Sequence, residues 1–311
     1  MAGYIAKRLL LAIPTLIGVT IAIFLLLHLI PGDPARMIAG PEASDEMVEQ
    51  IRNNFGLNDP LVMQYFRYMK NLFQGDLGIS YSMQTSVSTE IWARLPATMK
   101  LASTAMILGI LAGVILGVFS AAKQFSFLDY TTMGFAVSGV SMPDFWLGLM
   151  LMLLFSVKLG LLPTVGGGSL WHLVLPAATL GAGVTGILAR MTRSSMLEVL
   201  RQDYIRTGRA KGLGERKIIY HHALKNALIP TVTIGGLQFG RLLGGSIVVE
   251  SVFAWPGIGR LLVTAIHSRD FMLAQGIVLI FATLFVLVNL AVDMVYSLLD
   301  PRITYAKRPS N

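Results

Sequence analysis

The residues best able to do chemistry in this 311-residue chain are few and scattered. There is no cysteine, which removes thiol nucleophiles, disulfide scaffolds and Cys-ligated zinc or iron–sulfur sites. His221 and His222 are neighbours; on a helix adjacent side chains point about 100° apart, so they lack the one-face spacing of a His-x-x-x-His metal pair. Gly166-Gly167-Gly168-Ser169 is not Gly-x-Ser-x-Gly and reads as a flexible outer connection. No Gly-x-x-x-x-Gly-Lys-Ser/Thr phosphate loop is present, so the chain is not expected to hydrolyse ATP. What remains is charge in unusual places: Arg241 inside an apolar run, Glu250 at the end of that run, Asp144 inside another, and a basic stretch at 206–230, "RTGRAKGLGERKIIYHHALKNALIP". A charge at membrane depth costs a few kcal/mol and normally faces a bundle interior or an aqueous cavity. Arg241, Glu250 and Asp144 are therefore candidates for a translocation pathway. For Arg241, pairing with an acidic neighbour is the equal alternative.

The elements that position these groups are apolar. The chain is 54% hydrophobic and 14% charged, with mean hydropathy +0.65, against about 25% charged in soluble domains. Apolar runs long enough to span a bilayer fall at 9–30, 98–121, 131–157, 172–191, 228–250 and 273–299. That makes six spans of an all-α polytopic membrane protein. The first follows Lys7 and Arg8 and leads into Pro31-Gly32-Asp33-Pro34 rather than a small-residue cleavage site, so it reads as a retained span. Met142-Pro143-Asp144 interrupts the third, and Gly181, Gly183 and Gly186 suit close packing of the fourth; irregularity is expected in both. Trp146, Trp171 and Trp255 fit an interfacial aromatic belt, and Asp293, near the inner end of the sixth span, is expected to reach the interface or cap a neighbour.

Orientation follows from charge. With the N-terminus inside, Lys7, Arg8, Lys123, the series from Arg190 and Arg193 to Lys225, and Arg302, Lys307 and Arg308 all lie inside. The first loop, 31–97, carries Asp33, Glu42, Asp45, Glu46, Glu49, Asp59, Asp76 and Glu90 and is net acidic. Both termini are thus expected in the cytoplasm. The net charge of +8 is explained by topology, without nucleic acid. Helical spacing within Glu42–Phe55 and the aromatic run Tyr65–Phe73 point to a small helical subdomain at the outer surface.

Met196, Leu197, Leu200 and Tyr204 continue the fourth span beyond the bilayer at helical spacing. Gly212-Leu213-Gly214 breaks it, with Gly212 suited to a left-handed cap. Glu215 then opens a return helix that runs through Ile218, Ile219 and His222 to Pro230, where the fifth span begins. A basic helix–turn–helix on the cytoplasmic face has two readings: a positive-inside loop that only sets orientation or a polybasic stretch lying against anionic membrane lipid, or a docking element that carries force from a partner into the spans.

Residues 206–230 resemble the cytoplasmic coupling loop of bacterial ABC importer permeases of the dipeptide, oligopeptide, glutathione and nickel transporter family. Gly212 and Pro230 match the general pattern, Arg206 replaces its acidic residue, the spacing to the proline is longer, and Gly208 stands where alanine is usual. "LLHLIPGDPA", "FGLNDPLVMQY", "GDLGISY", "SMPDFWLGL", "LFSVKLGLLP", "VVESVFAWPGIGRLL" and "LLDPRITY", in that order, resemble the first permease subunit of that family; "PGDPARMIAGPEA" and "GLQFGRLLGGSIVVE" lean toward its glutathione branch. The resemblance implies a type I importer fold, with an N-terminal helix and outer loop over 1–94 and a transmembrane domain over 95–305 containing the coupling loop, 194–230. It implies that Tyr204, Arg206, Arg209, Ala210, Lys211, Gly212, Leu213, Gly214 and Pro230 engage an ATPase. It further implies a homologous second permease, two ATPase subunits that hold ATP and magnesium, and an extracytoplasmic substrate-binding protein. The implied cargo is a short peptide, with a nickel chelate as the alternative. An ion-gradient-driven secondary transporter is the reading from another class, and it would need a midplane coupling carboxylate.

Overall fold

The computed structural model describes residues 2–29, 34–39 and 43–299. Pro31-Gly32-Asp33, Glu42, the C-terminal Arg302, Lys307 and Arg308, and the side chain of Asp293 lie outside the described residues. The chain is helical almost throughout. α1 (Ala2–Leu29) is followed by α2 (Pro34–Ala39), α3 (Asp45–Phe55) and α4 (Leu61–Phe73), then a two-residue hairpin of β1 (Ile79–Ser80) and β2 (Thr85–Ser86). The strands pair antiparallel, with Ile79 opposite Ser86 and Ser80 opposite Thr85. α5 (Val87–Ala122), α6 (Phe127–Ser141) and α7 (Asp144–Leu151) follow, α7 continuing as a π-helical stretch, Met152–Lys158. Then come α8 (Trp171–Leu200), α9 (Asp203–Ala210) and α10 (Glu215–Lys217). A second π-helical turn, Ile218–Ala223, leads into α11 (Leu224–Val252), and α12 (Ile258–His267) and α13 (Phe271–Leu299) close the chain.

Among the described residues four helices are long and apolar enough to cross a membrane, and six spans result if each of two bent pairs counts as one. The α6–α7 pair bends by 112° at the Met142-Pro143 break, where proline cannot continue the helix and disfavours helical geometry in the residue before it. The helix from Glu215 to Val252 bends by 40° between Val232 and Ile234, just beyond Pro230. Pro230 thus lies within a continuous helix and does not begin a new one. α8 runs unbroken across Pro176 and its glycines, against the irregularity expected there.

The centre of the bundle is the α5–α8 pair, the most extensive contact in the fold. Gly109, Gly113 and Gly117 recur every four residues on one face of α5. A Cβ added at Gly109 would lie 2.7 Å from Val184 Cβ, and one at Gly113 2.8 Å from Leu188 Cβ. On α8, Gly181 would meet the Ala105 carbonyl at 2.9 Å. Without a hydrophobic force between helices in lipid, such small-residue faces let backbones approach and gain dispersion contacts. Around this seam Leu101, Leu180, Val184, Leu188, Leu242 and Phe253 form the main core.

The outer end is fastened by buried polar groups. Asp270 is buried and accepts from Ser80 Oγ at 2.5 Å, Ser82 Oγ at 2.7 Å and Ser82 N–H at 3.1 Å, while its other oxygen caps α13 through Leu273 N–H at 3.1 Å. Tyr81 Oη accepts the Phe271 N–H at 2.6 Å, and burial pushes the phenol up to about 12. The loop hairpin is thereby pinned to the α12–α13 turn. α3 and α4 form the outer helical pair; Ser44 caps α3, Gly56 ends it in the left-handed region at φ 62°, and Tyr65 and Tyr68 of α4 pack on Phe24 of α1. The 163–170 connection is seated rather than free, since Gly166 N–H donates to the Phe253 carbonyl at 2.8 Å. Trp255 is buried, with Nε1 donating to the Ala97 carbonyl at 2.9 Å, which corrects its assignment to the interfacial belt.

Candidate functional site

At the cytoplasmic end the chain turns sharply three times. α8 stops at Leu200, and Gln202 is extended at φ −70° and ψ 151°, so the helix ends before Tyr204 and α9 is a separate element. α9 closes with Gly212 N–H on the Arg209 carbonyl at 2.9 Å and Leu213 N–H on the Gly208 carbonyl at 3.2 Å. Gly212 is left-handed at φ 82° with open space where a Cβ would stand, so backbone conformation alone demands glycine. Gly214 is extended and leads into α10.

The hairpin is held from both sides. Ile205 and Ile218, each 1% exposed, bury against Val118 and Ala121 of α5 and Met196 of α8. Across the turn, Arg209 Nε lies 2.7 Å from Glu215 Oε1 and Nη2 3.2 Å from Oε2, a fork-to-fork clamp. This pairing raises the Arg209 guanidinium above its ordinary range. Tyr204 Oη accepts from Asn226 Nδ2 at 2.8 Å and so joins α9 to α11. Arg206, Ala210, Lys211 and Gly214 are exposed, Leu213 is half-buried, and Arg206 lies 3.7 Å from Asp203 at the surface. The result is a rigid basic knuckle with an apolar root in the bundle.

A second lock lies above it. Arg193 of α8 grips Asp129 of α6, with Nε to Oδ1 at 2.8 Å and Nη2 to Oδ2 at 2.7 Å. Ser120 Oγ and the Phe125 N–H also donate to that buried carboxylate. Arg193 is therefore a structural cation and not only a topology signal. Sequence reasoning missed Asp129; the signal was Ser126 followed three residues later by Asp129 at a helix start, a capping pattern.

The three predicted pathway residues separate. Glu250 is 0% exposed and accepts from Thr98 Oγ1 at 2.7 Å and Arg260 N–H at 3.0 Å. Thr98 Oγ1 in turn accepts the Ile258 N–H at 2.9 Å. This carboxylate caps the start of α12 and ties it to α5, so it lines no passage in this conformation. The "ESVFAWPGIG" motif supports it: a Cβ at Gly257 would strike the Glu250 carboxylate, and one at Gly259 would lie 2.7 Å from Ile247 Cα. Arg241 and Asp144, in contrast, fall on the same flank of α11 without a direct ion pair. Asp144 is half-buried, with Oδ2 3.5 Å from where a Cβ of Gly245 would stand, one helical turn from the exposed Arg241. His221 and His222 set their rings edge to face, 5.2 Å apart and 89° inclined.

The family model described as "Binding-protein-dependent transport system inner membrane component" matches residues 113–305, and its N-terminal companion matches residues 1–102. The chain belongs to this family. The permease is 48% identical over 305 residues to the glutathione transport system permease protein GsiC of Escherichia coli K12, and 49% identical over 305 residues to that of Salmonella paratyphi A. Each alignment covers 98% of the permease and 100% of the relative. Among solved structures, the methionine ABC transporter MetNI in inward-facing conformations superposes with a TM-score of 0.58 at 19% identity, covering 67% of the permease and 95% of that chain. An amino acid ABC transporter gives 0.50 at 17% identity, covering 69% and 94%. The permease is thus a multi-pass inner-membrane subunit with the type I ABC importer fold; subunits of this kind form the membrane passage and catalyse no reaction.

Proposed function

We propose that the permease moves short peptides, glutathione-like tripeptides among them, into the cytoplasm. It acts with a homologous second permease, an extracytoplasmic binding protein and two ATPase subunits that hold ATP and magnesium. The observation that carries the ATP-driven reading is the knuckle at 203–217: exposed cations on a turn fixed by Gly212 and the Arg209–Glu215 clamp, rooted by Ile205 and Ile218 in α5 and α8. A positive-inside loop needs the charge but not the clamp or the buried root.

In this reading Arg206, Arg209, Ala210, Lys211, Gly212, Leu213 and Gly214 seat in a groove of the ATPase, while Tyr204 and Pro230 relate the knuckle to α11. ATP can shift the permease between inward-open and outward-open states only by favouring one of them differentially. The knuckle is where that preference enters, because its root lies between α5 and α8 and its return limb is continuous with α11. Full-length likeness to glutathione permeases supports the peptide cargo.

The test is co-expression with the neighbouring subunits, reconstitution into proteoliposomes, and uptake of labelled glutathione with the binding protein outside and ATP inside. ATP-dependent accumulation, and ATPase activity that rises with loaded binding protein, are expected. Uptake by the permease alone, indifferent to ATP, would refute the reading.

A further inference from the structure

Arg241 stands on a stripe of α11 that the rest of the fold leaves open. Leu237 and Val248 on this stripe are 47% and 45% exposed, and Gly244 beside Arg241 has open space within 4 Å of its would-be Cβ. By helical rise Arg241 lies about 26 Å from the cytoplasmic start of α11, and Asp144 opens α7 just past the far end of α6, itself about 22 Å long. Both are therefore well inside the hydrocarbon layer. An arginine facing lipid there is costly, so this stripe borders either water or another subunit. Among the described residues Arg241 makes no hydrogen bond or direct ion pair, although the Asp144 carboxylate sits one turn away on the same flank. The other buried carboxylates, Asp129, Glu250 and Asp270, are saturated by their own donors.

We infer that Arg241 and Asp144 form a zwitterion-binding site on the translocation path, Arg241 taking the carboxylate of a passing peptide and Asp144 its ammonium group. This rests on the importer reading above and adds the recognition chemistry. Two opposite charges on one flank, with no direct bond between them, are complementary in sign to a peptide's two termini. A guanidinium can take a carboxylate through two parallel hydrogen bonds, and the room at Gly244 admits the ligand.

The test uses the complete transporter in proteoliposomes, with the binding protein saturated, and compares a free tripeptide with its C-terminal amide and its N-acetyl form. Losing one charge-assisted hydrogen bond at the narrowest recognition step should lower wild-type uptake by about tenfold or more. R241Q should lose a similar factor with the free peptide and become insensitive to amidation. D144N should become insensitive to N-acetylation. ATPase stimulation by loaded binding protein should stay within about twofold, since neither residue touches the knuckle. Wild-type uptake by R241Q, a further tenfold loss on amidation in R241Q, or recovery of uptake in the R241Q/D144N double variant would overturn the inference, the last by showing a merely structural pair. Should R241Q not assemble, R241K carries the same comparison, with a partial loss that shrinks on amidation expected and an unchanged amidation ratio overturning the inference. Absence of ATP-dependent uptake in the wild type would instead refute the importer reading.

Discussion

Replacing Gly113 by alanine tests whether the α5–α8 seam sets the geometry of the bundle. The new Cβ would lie 2.8 Å from Leu188 Cβ, 3.1 Å from the Thr185 carbonyl oxygen and 3.2 Å from Ala189 N. Carbon atoms pack at about 3.5–4.0 Å, so the shortfall is roughly 0.7–1.2 Å. Leu188 is 0% exposed and has nowhere to retreat, and the two other contacts are backbone atoms. The helices must part by about 1 Å, at a cost typical of overpacking, about 1–3 kcal/mol. Gly109 and Gly117 press on the same partner at one-turn intervals, so a single separation relieves all three positions. The triple variant should then destabilise by clearly less than the sum of the singles, with coupling of about 0.5–3 kcal/mol. Denaturant-titrated unfolding of the purified subunit, variant by variant, measures both quantities. Additive losses, or a neutral Gly113→Ala, would refute the close-packing argument.

R209E places a carboxylate against Glu215 and should uncouple ATP hydrolysis from uptake while membrane insertion stays normal; the R209E/E215R swap should recover part of the uptake, and normal uptake in R209E would count against the clamp. G212V forces a β-branched residue to φ 82°, costing about 1–2 kcal/mol of local strain, and is expected to lower uptake with little change in ATPase assembly by pull-down. E250Q exchanges an acceptor oxygen for an amide donor among groups that already donate, so unfolding should be eased by about 1–3 kcal/mol relative to wild type in the same titration. Y81F leaves the Phe271 N–H without its acceptor; because burial favours the neutral phenol, the stability Tyr81 contributes is intact below about pH 10 and is lost as pH rises toward about 12. An alkaline unfolding midpoint that depends less on pH in Y81F than in wild type checks this.

Much of the architecture was legible because lipid enforces it. Long apolar runs and lopsided loop charge are direct consequences of the solvent, and Pro143 announces its own break. The left-handed turn at Gly212 and the charge at Glu215 were likewise visible, since backbone chemistry there is local. Where the helix stops was not: Met196, Leu197, Leu200 and Tyr204 keep one helical phase, yet Gln202 is extended because Ile205 has its own place between α5 and α8. Tertiary burial outweighed local periodicity. Trp255 and Glu250 misled for a related reason. A position near a span end suggested an interface for Trp255 and a translocation pathway for Glu250, and only the folding-back of α12 onto α5 encloses them. The spacing of Gly109, Gly113 and Gly117 was present in the sequence; its meaning depended on α8 offering Val184 and Leu188 in matching phase.

The bend after Pro230 divides the helix of the return limb into an inner arm, Glu215–Val232, and an outer arm, Ile234–Val252, each about 27–28 Å long at 1.5 Å per residue. The outer arm is bolted to α5 and α12 through Glu250, while the inner arm carries the knuckle. The helix is therefore a crank with one fixed limb: a shift of about 3 Å at the cytoplasmic tip turns the elbow by only about 6° over an arm of that length. Arg241 rides on the fixed limb, about 10 Å beyond the elbow. A peptide held there would keep its station while the cytoplasmic half of the passage swings beneath it.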